Sequence, residues 1–234
     1  MAQVYPNLSQ ISRLRIQPTE GESHLLTFLL QNLDNSYEIF FQPFLDGDRP
    51  DIVVMRKESG VLIIEVKDWD LDNYYLDSSG KWRLQKNGTA IVSPIEQVES
   101  YKEKIFNLHI EHLLDKKHSD RKYFAIVSCA AYFHHHQEID AKKLCGESYT
   151  QILGYDSLNL QNLRRLLHIC WLDRPSRYFD SELYTSFKRY LNPPVHALEE
   201  GKEIVYKPKQ KVLIESRSIE QKIRGVAGSG KTTI

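Results

Sequence analysis

The sequence predicts an α/β fold, a mixed central β-sheet flanked by helices, with a mainly helical C-terminal extension. Three observations lead there. Apolar runs and amphipathic stretches follow one another in the order helix, strand, hairpin, helix, strand. The run VLIIEVK (61–67) is almost wholly apolar, as a buried strand requires. After about residue 135 the pattern changes to amphipathic helices.

Each element has its own signal. GESHLLTFLLQNL (21–33) reads as the first helix, with Leu25, Leu26, Phe28, Leu29, Leu30 and Leu33 at helical spacing and Glu22 in the first turn. YEIFFQPF (37–44) has strand composition, and LDGDRP is a polar turn. DIVVMRK (51–57) and VLIIEVK (61–67), parted only by turn residues at 58–60, make a hairpin. The stretch 70–94 carries turn signals at Asp77–Gly80 and Asn87-Gly88, so it reads as a loop with short strands leaving the main sheet. Residues 94–114 form a helix that starts on Pro94 and buries Ile95, Val98, Ile105, Leu108, Leu113 and Leu114. KYFAIVSCAAYF (122–133) is another strand, and 158–172 and 181–192 are amphipathic helices. These readings give a core at 1–135, a helical extension at 136–192, a linker at 193–215 and the start of a further domain at 216–234.

The 234 residues carry 31 basic and 31 acidic side chains, so no global field draws the chain to nucleic acid or an anionic membrane. A polyanion site must be local. No apolar run reaches the length of a membrane span and no secretory signal is visible. Cys129, Cys145 and Cys170 follow no pairing pattern, which points to buried free thiols and a cytoplasmic protein.

The chemistry concentrates where the apolar strand ends. Residues i and i+2 of a strand share a face, so Glu65 and Lys67 project together. Asp51 opens the partner strand of the hairpin, and antiparallel pairing brings it to residues 65–67. Two carboxylates that close repel one another unless a cation lies between them. A hard divalent ion suits oxygen donors, with Mg²⁺ the default and Mn²⁺ its substitute.

An Asp followed by Glu-x-Lys on the next strand resembles the PD-(D/E)xK nucleases, whose core is the restriction-endonuclease fold. The resemblance implies metal ligation by Asp51, Glu65 and the Val66 carbonyl, with Lys67 acting on the attacking water and the phosphate. Family members often place a further acid on the first helix that touches the metal or its waters, here Glu22. Gln97 and Tyr101, one turn apart on a helix face, are similar to the extra QxxxY motif of RecB-type members. GESHLL, DIVVM and VLIIEVKDW together resemble the NERD (nuclease-related) domain over roughly residues 15–130. That resemblance implies a metal-dependent DNA nuclease leaving 5′-phosphates, with DNA as partner. A second copy of the chain or an accessory defence protein is left open.

Gly225-Val-Ala-Gly228-Ser-Gly230-Lys231-Thr232 fits GxxxxGK[ST], a loop whose backbone N–H groups cradle phosphates, with Lys231 on the terminal phosphates and Thr232 on Mg²⁺. RGVAGSGKTT resembles the start of superfamily 1 helicases of the UvrD type. The sequence ends two residues after Thr232, so it is read as a fragment cut inside a motor domain, with ATP binding reserved for the full-length protein. Defence against foreign DNA, or DNA repair, is the setting the family suggests. The alternative is a non-catalytic nuclease-fold module that binds DNA or dimerises and regulates the motor.

Two other features read as surface. Three adjacent histidines, His134 to His136, cannot all face one ion on a regular element, so they are assigned to an exposed loop. The basic pairs at 116–117, 121–122, 142–143 and 164–165 are solvated faces, of which one or two would meet phosphates.

Overall fold

A computed structural model of the chain describes residues 1–192 apart from 15, 46, 111 and 147. At its centre lies a mixed six-stranded sheet of β1 (Gln3–Tyr5), β2 (Tyr37–Phe41), β3 (Ile52–Arg56), β4 (Gly60–Lys67), β7 (Val127–Phe133) and β8 (Gln151–Gly154), in that spatial order. β2, β3 and β4 form an antiparallel meander; β1 joins β2, and β7 and β8 continue from β4, all in parallel. A separate ribbon, β5 (Tyr74–Leu76) and β6 (Trp82–Leu84), leaves the chain between β4 and the next helix, as the turn signals require.

The apolar run of β4 is explained by cover on both faces. Leu62, Ile64 and Val66 join the core beneath α2 (Glu20–Asn32) and α6 (Leu160–Ile169). Val61 and Ile63 join the core beneath α3 (Pro94–Lys104) and α7 (Ser181–Leu191). Ile63 and Ile64 are completely buried, and each contributes about 1.5–3 kcal/mol by leaving water. Both helices that flank the end of β4 start on reciprocal capping boxes, Thr19 with Glu22 for α2 and Ser93 with Glu96 for α3.

Several elements depart from expectation. The strand expected at 122–133 begins only at Val127, because Asp120 caps the backbone of Lys122 at 2.9 Å and starts a 3₁₀ turn over Arg121–Ile126. The helix expected over 94–114 ends at Lys104, passes through a π-helical stretch Ile105–His109 and restarts as α4 (Leu113–Ser119) after His112, which sits at φ 63°. β2 stops at Phe41 because Gln42 takes φ 45° and Pro43 cannot donate to the ladder.

The expected boundary at 135 separates no two compact units. Met1–Leu191 is one unit, and β8, a strand of the same sheet, lies within the stretch expected to be a helical extension. That stretch is otherwise helical, with α5 (Glu138–Cys145), α6 and α7. Neither β1 and α1 (Leu8–Ile11) nor α5 and β8 was foreseen; each is too short to show a period. The expected linker at 193–215 and further domain at 216–234, with Gly225, Gly228, Gly230, Lys231 and Thr232, lie outside the described residues. Among the described residues no helix is long and apolar enough to cross a membrane. Cys129, Cys145 and Cys170 are free thiols, and burial pushes each up to about 12.

Candidate active site

The C-terminal end of β4 gathers most of the residues singled out in the sequence. The pairing Ile52↔Ile64 sets Asp51 opposite the Glu65–Val66 step, and its Oδ2 accepts the Val66 backbone N–H at 2.7 Å. Glu65 and Lys67 alternate with Val66 and face α3. Lys67 Nζ donates to Glu65 Oε1 at 2.6 Å and to Gln97 Oε1 at 3.1 Å. Gln97 Nε2 donates in turn to the Tyr101 hydroxyl at 2.8 Å. One hydrogen-bonded chain therefore runs Glu65, Lys67, Gln97, Tyr101, and the Ser93–Glu96 box fixes the start of the helix that carries its far half.

Burial makes this cluster electrostatically tense. Glu65 is 2% exposed, and the Lys67 side chain only 12%. Burial, followed by the negative charge of Glu65, pushes the Asp51 carboxyl up to about 8. Glu65 is raised by burial too, against the opposing pull of Lys67. Tyr101 is driven up to about 12 by burial, with smaller contributions from Glu65 and Asp51. One ammonium thus stands against two crowded carboxylates, and Glu22 adds to the field on both.

Glu22 reaches the edge of the cluster with its oxygens already engaged. Its Oε2 accepts the Thr19 backbone N–H at 2.8 Å, and its Oε1 accepts the Gln42 side-chain amide at 2.7 Å. Gln42 is a residue that sequence reasoning missed. Its backbone N–H donates to the Asp51 carbonyl at 2.8 Å, so it ties Glu22 to the Asp51 strand. The only sequence signal was the QP step that ends β2.

Two buried acceptors in this region have no hydrogen-bond partner, Glu65 Oε2 and Gln42 Oε1. Orphaned buried oxygens of this kind call for a water or an ion. Among the described residues no group of three or more His, Cys, Asp or Glu side chains is arranged to hold a metal. The donors that fit a hard cation are accordingly few: the Asp51 and Glu65 carboxylates and the main chain at Val66, with the remaining positions open to water or substrate oxygens.

A wall of aromatic rings closes one side. Lys67 Nζ lies 5.0 Å from the Trp69 ring centroid. Tyr74 stacks on Trp69 at 4.7 Å, and Trp82, 4% exposed, lies 6.0 Å from Tyr74. The β5–β6 ribbon therefore packs against the end of β4 rather than hanging free. On the other side of α3 a cavity of about 540 Å³, lined by Lys102, Phe124, Cys129 and Trp171 among others, shares no residue with the cluster. Of the basic pairs, Lys142, Lys143 and Arg165 are matched by Glu138 or Asp140 on α5, and Lys116 by Asp180.

A family model described as the nuclease-related domain, NERD, matches residues 17–134, just over half of the chain. No curated protein and no solved structure matches it. The matched span begins just before α2 and ends one residue beyond β7, so it holds Glu22, Asp51, Glu65, Lys67, Gln97 and Tyr101, and it stops short of Gly225–Thr232. The chain belongs to the nuclease-related domain family.

Proposed function

We propose that the cluster at the end of β4 hydrolyses phosphodiester bonds in DNA, with Mg²⁺, or Mn²⁺ in its place, held by Asp51, Glu65 and the Val66 carbonyl. The observation that carries this reading is the unpartnered Glu65 Oε2 beside a buried Asp51, two carboxyls so crowded that Asp51 is held protonated, a proton that a bound cation would displace. Once bound, the cation would neutralise charge on the phosphate and acidify a water molecule.

The chain's own groups do the rest. Lys67, swung from Glu65 toward the phosphate, stabilises the charge that develops on its oxygens. Gln97 limits how far that ammonium moves, and Tyr101 fixes the Gln97 amide. Glu22, through Gln42, holds the strand end that carries Asp51.

The test uses plasmid, linear duplex and single-stranded DNA with Mg²⁺, Mn²⁺ or chelator. Cation-dependent cutting by the wild type that disappears in Asp51→Ala and Lys67→Ala supports the reading; cutting that survives both variants overturns it. A second reading has its own observation. Lys67 is already held by Glu65 Oε1 and Gln97, and Glu22 is doubly bonded, without substrate, as a non-catalytic module that only binds DNA requires. Metal-independent DNA binding with no cutting under any condition is its signature. The GxxxxGK[ST] stretch at 225–232 supports a nucleotide-driven motor in the same polypeptide; defence against foreign DNA or DNA repair as its setting follows from family analogy.

A further inference from the structure

The histidine run expected to form an exposed loop is largely engaged. The His136 ring accepts the Leu71 backbone N–H at 2.9 Å, and the His134 side chain is only 11% exposed. His134 follows β7 directly and shares a face with Tyr132, two residues earlier. That face looks toward α2, away from Glu65 and Lys67. His24, on α2, comes down on the same spot.

Three donor atoms meet there. His24 Nδ1 and His134 Nδ1 are 3.5 Å apart. The Tyr132 hydroxyl oxygen lies 3.3 Å from the first and 3.0 Å from the second. A tetrahedral ion with bonds of about 2.0–2.1 Å spaces its ligand atoms about 3.3–3.4 Å apart, so the triangle has the size of one face of such a site. His134 Nε2, on the far side of its ring, faces Glu20 Oε1 at 3.7 Å, the place where a ligating imidazole usually finds a carboxylate. Only two of the three donors come from His, Cys, Asp or Glu, which accords with the absence of any three-membered group of those types among the described residues. The third donor is a phenol.

We propose that His24, His134 and Tyr132 bind a first-row transition ion of the imidazole-preferring kind, Zn²⁺ or Co²⁺, with the outward coordination position open to water. On binding, the Tyr132 hydroxyl proton passes to solvent and the two Nδ1 lone pairs turn to the ion. The site is separate from the acid cluster and prefers a softer metal, since its donors are nitrogen-rich. It clamps α2 to the end of β7. α2 also carries Glu22, so the ion would lock the helix that borders the acid cluster without taking part in the chemistry there.

The experiment is independent of any nuclease activity. Tag-free, chelator-treated full chain is titrated with Zn²⁺ by calorimetry and with Co²⁺ by visible absorption. The expected result is one tight site with the intense ligand-field bands of tetrahedral Co²⁺. Those bands vanish in His24→Ala and in His134→Ala, and affinity falls at least tenfold in Tyr132→Phe. Asp51→Asn, which disarms the acid cluster, leaves the Co²⁺ bands unchanged. Melting of each metal-free variant checks that it folds, and His24 is exposed enough for its alanine variant to do so. Equal binding by wild type and the double His24→Ala/His134→Ala variant, or no binding by wild type at all, would overturn the proposal and leave a hydrogen-bonded Tyr–His triangle.

Discussion

Asp51 and Glu65 face one another across the β3–β4 pair, and the proton that burial and mutual repulsion hold on Asp51 persists to about pH 8. A raised carboxyl of this kind stabilises the fold only while protonated. Its contribution is full below the ordinary value near 3.8 and is lost as pH rises through about 8. The chelated protein should therefore lose stability between roughly pH 4 and pH 8, on the order of a few kcal/mol, seen as a falling melting temperature. Asp51→Asn should flatten that slope, and Mg²⁺ should restore the wild type at the alkaline end. Calorimetric melting across pH, with and without the ion, reads all three.

Trp69 is the second place to press. Its ring lies under the Lys67 ammonium, backed by Tyr74 and Trp82. Loss of a desolvated cation–π contact is worth about 1–2 kcal/mol, so Trp69→Ala should slow cutting about tenfold. Trp69→Phe should keep most of the rate. Single-turnover rates beside duplex-binding constants will separate a misplaced Lys67, which lowers the rate alone, from a lost DNA contact, which weakens binding.

Gly21 is where α2 meets the sheet. A Cβ there would run into the Asp68 carboxylate and lie 2.9 Å from the His134 Cβ and 3.0 Å from Val66 Cγ1. The Gly21 N–H also donates to Asp68 at 2.9 Å. Gly21→Ala should cost about 1–3 kcal/mol through overpacking. The measurement is a urea midpoint, expected to drop with an unchanged slope.

Glu38, on β2, pins α7 to the sheet. It is 6% exposed and accepts from Tyr184 at 2.7 Å and Lys188 at 2.5 Å. Glu38→Ala leaves both donors without their acceptor and should destabilise the chain by about 1–3 kcal/mol. Limited proteolysis should then find α7 first. If cleavage instead begins in the β5–β6 ribbon, α7 does not depend on this bond.

The sequence made the hairpin and its register legible because β3 and β4 are long apolar runs separated by three turn residues, which leaves only one antiparallel match. Asp51, Glu65 and Lys67 followed from that register. Gln97 and Tyr101 were visible as a helical spacing, and the structure adds that Gln97 holds Lys67 and Tyr101 holds Gln97. Gln42 was not legible, since its place depends on a φ of 45° at the end of β2. Nor was the meeting of His24 with His134, residues from opposite ends of the matched domain that only α2 packing brings together. β8 escaped because four residues show no period, and its membership in the sheet rests on β7 being there to receive it.

The pairing of β4 with β7 has a consequence for biosynthesis. Val61 must find Val127, so the meander of β2, β3 and β4 leaves the ribosome well before the strand that completes it. During that interval an oily ribbon edge stands open to any neighbouring nascent chain. α2 already covers one face by then, and the segment between the two strands, α3 and its irregular continuation, covers the other, which makes its prompt docking a safeguard against tangling during translation.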